Sequence, residues 1–105
     1  MSEGIAAFLT AWQRGEGCCQ TFRPGSELAF SPQPQPTLTL RILPSFLSDS
    51  LLRQVLTWRF QHPDRYDGCF ISIEADGSLA VCCHPSSDDD PYALISMLSS
   101  LLNLQ

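Results

Sequence analysis

Lysine is absent from this chain, and its six basic residues are arginines scattered from Arg14 to Arg65, against eleven acidic residues and a net charge of −5. Phosphate backbones are bound by clustered cations, so a nucleic-acid partner is not expected. Charge of either sign is low, at 16%, while 44% of the residues are hydrophobic. That is too apolar for a disordered chain. It is also little charge for the surface of a solitary monomer, so part of the apolar surface is expected to meet a partner. Long hydrophobic runs are missing as well, and none approaches the roughly 20 residues a bilayer span needs. The N-terminal stretch carries Glu3 and no basic region, so neither a secretory signal nor a membrane partner is expected. Evenly spaced cysteines are lacking too. The five present include two adjacent pairs, Cys18-Cys19 and Cys82-Cys83, unlike a secreted disulfide framework, and reduced thiols in a cytosolic protein are expected. No Gly-rich loop, paired-carboxylate motif or nucleophile elbow occurs, which argues against an enzyme.

What is present suits one domain over residues 1–105. Ile5, Phe8, Leu9 and Trp12 follow the i, i+3, i+4, i+7 spacing of an amphipathic helix over residues 2–14, which Gly15 can end. The period then falls to two through Cys18–Phe22 and Leu28–Phe30, with a turn at residues 23–26. Residues 32–36, PQPQP, cannot supply ladder donors at their prolines and form a connection outside the sheet. Leu38, Leu40 and Ile42 mark one face of a half-buried strand. Ser48 or Ser45 then caps a helix that stops at His62-Pro63, with His62 as its C-terminal cap partner. Leu52, Leu56 and Phe60 form one row of it, and Leu51, Val55 and Trp58 a neighbouring one. That stripe is wider than one sheet needs, so the helix is expected to be buried from two sides, the second being another subunit. Leu51, Val55 and Trp58 are the expected dimer interface. Near the end, Asp90 as cap and Pro91 at the first helical position open a last helix. The order is α-β-β-β-α-β-β-α, an α+β fold with a twisted, mainly antiparallel sheet and helices packed on one side.

The stretch CFISIEADGSLAVCCHP, residues 69–85, poses a choice between a metal site and a hairpin. A three-residue loop, Ala75-Asp76-Gly77, with Gly77 in the left-handed conformation, pairs Ile73 with Leu79, Ile71 with Val81 and Cys69 with Cys83. Cys82 and Cys83 then point to opposite faces, and diverging side chains cannot share one tetrahedral ion. A small thiol or metal protein built on Cys82, Cys83 and His84 is therefore the remote alternative, and no metal or other cofactor is expected. A Cys82–His84 nucleophile pair lacks an orienting third group. Asp88 to Asp90 read as a helix cap with solvated neighbours. If the Ile71 face packs under the helices, Phe70 faces outward with Cys82. These two, with Phe8 and Trp12 of the first helix, are the expected partner-binding residues. Phe8, Trp12 and Trp58 each have core packing as a second reading.

The element order, the N-terminal helix with Phe8, Leu9 and Trp12, the passage from TLTLRI through Pro44 into SDSLLRQVLTWRF, and the closing ISIEADGSLAV, acidic loop and YALISMLSSLL together resemble the class I chaperones of bacterial type III secretion systems. The likeness covers nearly the whole chain. It implies a small acidic homodimer in the bacterial cytoplasm, with the central helix at the interface, holding an extended N-terminal segment of a secreted effector without ATP. The chain is short for that family and has PQPQP where a tighter link is common. A chaperone-like regulatory adaptor binding another secretion-system protein, or one half of a heterodimer, is the alternative the resemblance leaves open.

Overall fold

The computed structural model describes residues 2–86 and 88–102, with side chains from residue 5 onward. The chain runs α1 (Ser2–Gln13), β1 (Cys18–Thr21), β2 (Ser26–Ser31), β3 (Thr37–Ile42), a 3-10 turn (Pro44–Phe46), α2 (Asp49–Gln61), β4 (Phe70–Ile73), β5 (Leu79–Cys83) and α3 (Pro91–Leu101). The expected α+β order is the observed one. All pairings are antiparallel, and the spatial order is β1-β2-β3-β5-β4. The sequential meander breaks once. After β3 the chain leaves through α2, returns as β4 on the outer edge, and folds back as β5 between β3 and β4.

Alternation along the strands decides which sheet face is covered. Leu28 and Phe30, Leu38, Leu40 and Ile42, and Leu79, Val81 and Cys83 stand opposite one another in register and are all buried. They form one cluster with Phe8, Leu9, Val55, Ile95, Leu98, Leu101 and Leu102 from the three helices. The opposite face carries Thr39, Arg41 and Cys82, half-buried, with Phe70 exposed. Its one strong polar contact is Arg41, which donates from Nε to Glu74 Oε1 at 2.8 Å and from Nη2 to Glu74 Oε2 at 3.2 Å. Glu27 lies farther off, at 3.7 Å from Arg41 Nη1.

The helix ends follow their sequence signals. Ser48 Oγ accepts from Leu51 N–H at 3.0 Å, and Asp90 Oδ1 accepts from Tyr92 N–H at 3.1 Å. Acidic Asp49 in the first turn of α2 and Arg59 in its last turn both favour the helix dipole. The 32–36 stretch is the loop of the β2–β3 hairpin, since Ser31 still pairs with Thr37 across it. Gly25 adopts a positive φ of 81° beneath the Phe46 ring, so a side chain there would be both strained and in collision.

Three expectations need correction. Val55 is fully buried in the chain's own core, where no second subunit can reach it. Phe8 is also core, at 2% exposure, beneath α1. Ile73, on the covered face of the sheet, is nevertheless 56% exposed, while Ile71 of the same strand packs half-buried against the core.

Candidate functional site: a groove at the β4 edge

The hairpin register matches the spacing: Phe70 pairs with Cys82, Ile71 with Val81, Ser72 with Ala80 and Ile73 with Leu79. Gly77 has φ 93° and donates its N–H to Glu74 C=O at 2.9 Å, while Glu74 N–H donates to Ser78 C=O at 2.8 Å. The last bond fixes the parity of the ladder. Residues 74, 72 and 70 turn their backbone groups toward β5, so those of Ile71 and Ile73 turn outward. Among the described residues β5 is the only ladder partner of β4, which leaves Ile71 and Ile73 as an open template for another strand.

Beside that edge lies a groove of about 650 Å³, lined by Leu56, Arg59 and Phe60 of α2, Pro63, and Cys69, Phe70 and Ile71 of the β4 end. Phe70 and Ile71 point to opposite faces of the sheet, yet both line it, because the groove follows the edge itself. Leu56, Phe60 and Phe70 are 47%, 87% and 52% exposed. A contiguous group of large apolar side chains on two elements marks an interaction surface more than scattered exposed residues do. The volume falls within the usual range for ligand sites, about 300–1,000 Å³. Arg59 is the one charged lining residue and is half-buried. Among the described residues Arg41 is ion-paired with Glu74 and Glu27, and Arg59 has no ion pair.

The α2–β4 link is rigidified by a residue the sequence reading overlooked. Tyr66 is fully buried. Its hydroxyl accepts from Trp58 Nε1–H at 2.6 Å and lies 3.1 Å from Ser100 Oγ, which joins α2, the link and α3. A lone aromatic in HPDRYDG has no periodicity to expose it. The Trp58 indole N–H is thus used within the chain, while the side chain keeps 36% exposure. Leu51 packs half-buried against the core. His62 does end α2, with its N–H donating to Trp58 C=O at 3.1 Å.

The structure divides the expected partner-binding residues. Phe70 and Cys82 are neighbours across the ladder on the open face. Phe8 and Trp12 lie on the covered face, where Trp12 stacks on Phe30 with ring centroids 5.2 Å apart. Trp12 also lines a second cavity of about 510 Å³, with Phe30, Pro32, Pro36, Asp89 and Pro91 among its walls. That cavity lies between the end of α1, the β2–β3 loop and the segment from β5 to α3, and no β4 residue lines it. Leu56, Phe60 and Arg59 were missing from the expected site, although the Leu52, Leu56, Phe60 row was visible in the sequence.

The thiols fit packing. Burial raises the pKa of Cys69 while Arg59 opposes the rise, and burial raises that of Cys82, reinforced by Glu74. Cys83 is pushed up to about 12 by burial, reinforced by Cys69 and Cys82. Such groups are protonated at neutral pH and are poor nucleophiles. His84 is tied elsewhere: its Nδ1 is 3.1 Å from Pro36 O, an obligate acceptor, and its Nε2 is 3.4 Å from Gln35 Nε2. Among the described residues no group of three or more His, Cys, Asp or Glu side chains is placed to hold a metal. No helix among them is long and apolar enough to cross a membrane.

A one-sided α+β domain with an open sheet edge and an adjoining apolar groove is thus the class of molecule the fold defines. Within that class the chain belongs to the HrpV-like family, whose sequence model matches residues 1–105. It is a protein associated with type III secretion, and the family implies interaction with other proteins of that system. No curated protein matches the chain.

Proposed function

We propose that this protein is an ATP-independent chaperone of type III secretion, working on the cytoplasmic side and holding an extended segment of a secreted client along β4. The observation that carries this reading is the coincidence of an unpaired strand edge with an apolar groove alongside it. Main-chain bonds from an edge supply affinity without regard to sequence, and pockets for alternate side chains supply selectivity. Holding a segment extended requires only that its binding outweigh its own drive to fold, so neither nucleotide nor catalysis is needed.

A regulatory adaptor is the second reading, favoured by the shortness of β4, which has four residues. Four residues grip a short motif better than a long wrapped segment. Co-purification from the native host, followed by limited proteolysis of the captured protein, separates the two. A chaperone leaves a protected N-terminal stretch in an otherwise cleavable region of its client. An adaptor leaves a folded partner cut at the same sites with or without it. Phe60→Ser is expected to abolish capture in both cases, and capture undiminished by that change would remove the groove from the function. A homodimer through the exposed Leu56 and Phe60 row competes for the same surface, and light scattering of the purified chain reports it.

A further inference from the structure

We infer that the groove reads a carboxylate: Arg59 forms an acid-selecting subsite for a docked strand with apolar side chains at alternate positions. The inference rests on the proposed strand-holding role and adds what the held segment must contain. Eleven acidic residues surround six arginines in this chain, yet Arg59 has no ion pair among the described residues. It stands half-buried in a wall otherwise made of Leu56, Phe60, Pro63 and the β4 end. A cation held in an apolar wall is stabilised by an incoming anion more than by another apolar group, and a guanidinium fork suits a carboxylate bidentately.

The strand geometry places that anion. A strand bonded to the outward amides of Ile71 and Ile73 turns alternate side chains toward the helices and toward the open face. Helix-side chains meet Leu56, Arg59 and Phe60; open-side chains meet Phe70. The selected segment therefore has an acidic residue on its helix-facing side, flanked two positions away by apolar ones. Acidic and apolar residues on one face of a strand are unusual in a folded core, which distinguishes such a segment from an arbitrary hydrophobic stretch.

The test uses the full chain and three fluorescein-labelled seven-residue peptides of alternating Thr and Val, with the central Val replaced by Glu, Gln or Lys. Fluorescence anisotropy is expected to show the Glu peptide binding about 10-fold more tightly than the Gln peptide, and the Lys peptide most weakly. In Arg59→Gln the Glu and Gln peptides are expected to bind alike, at the wild-type Gln level. N-methylation of one alternate set of peptide amides is expected to abolish binding, and methylation of the other set to leave it intact. Equal binding of the Glu and Gln peptides to the wild type, or a Glu preference that survives Arg59→Gln, overturns the acid subsite while leaving strand docking in place. Failure of all three peptides to bind overturns both. So does a dimer by light scattering that Phe60→Ser dissociates, since a second copy then fills the groove.

Discussion

Cys83 illustrates how burial sets the chemistry of a single side chain here. Its thiol holds its proton up to about pH 12, against an ordinary value of 9.0. Between those values the unfolded chain binds fewer protons than the folded one, so stability falls as pH rises, and below pH 9 the contribution is complete. The urea midpoint of the wild type is expected to decline between pH 9 and 12, and to decline less steeply in Cys83→Ala. Equal slopes in the two proteins would show that the thiol titrates alike folded and unfolded. Ser78 makes the opposite point. Its hydroxyl oxygen is buried without a hydrogen-bond partner among the described residues, while its N–H is satisfied by Asp76 Oδ1 at 2.9 Å. Removing an unsatisfied buried hydroxyl relieves a desolvation penalty, so Ser78→Ala is expected to match or exceed wild-type stability by up to about 1 kcal/mol. A loss of 1 kcal/mol or more in chemical denaturation would mean that the hydroxyl is bonded after all.

Within α2 the apolar residues have different fates. Val55 is 0% exposed and Phe60 is 87% exposed, only five positions apart. Val55→Asp puts an unpaired charge into the core and is expected to unfold the chain, read as loss of the circular-dichroism transition. Phe60→Ser is expected to stay within about 0.5 kcal/mol of wild type, as surface changes do. If Val55→Asp melted normally, that row would not face the sheet. The wide stripe of α2 correctly signals two apolar contacts, but which row serves which contact depends on how the helix is rolled against the sheet. Tyr66 contributes to that roll through the Trp58 indole, and no pattern in the sequence marks the bond.

For the whole molecule, the unequal treatment of its surfaces governs binding. One sheet face is covered, the other carries the Arg41–Glu74 pair and exposed Phe70, and the β4 edge is open. On the proposed docking at that edge the natural partner would bury mainly apolar surface, so isothermal calorimetry at several temperatures is expected to give a negative heat-capacity change. With Arg59 as the one lining charge, added salt is expected to weaken binding only slightly. Phe70→Ser is expected to lower affinity for that partner without unfolding the chain. Wild-type affinity in a folded Phe70→Ser protein would shift recognition to α2 alone. A steep salt dependence would instead point to the acidic stretch Asp88 to Asp90.

The sequence by itself determined the elements, their order and the hairpin register. Period-two alternation fixes the parity that keeps Ile71, Ile73, Leu79 and Val81 on one face, and Gly77, free to take a positive φ, fixes the loop length that selects the register. Capping by Ser48 and Asp90 was equally local. What only the tertiary structure decided is the strand order. Local patterns are the same whether β4 or β5 lies beside β3. Because β5 takes the inner place, β4 becomes an edge, its outward amides stay unpaired, and Leu56, Arg59 and Phe60 come to stand beside Phe70 across a groove. Those residues are separated along the chain by the 62–69 link, so no spacing rule could have joined them. Phe8 fell to the opposite outcome, taken into the core where α1 packs on the sheet, while Trp12 stands half-buried on Phe30 at the second cavity.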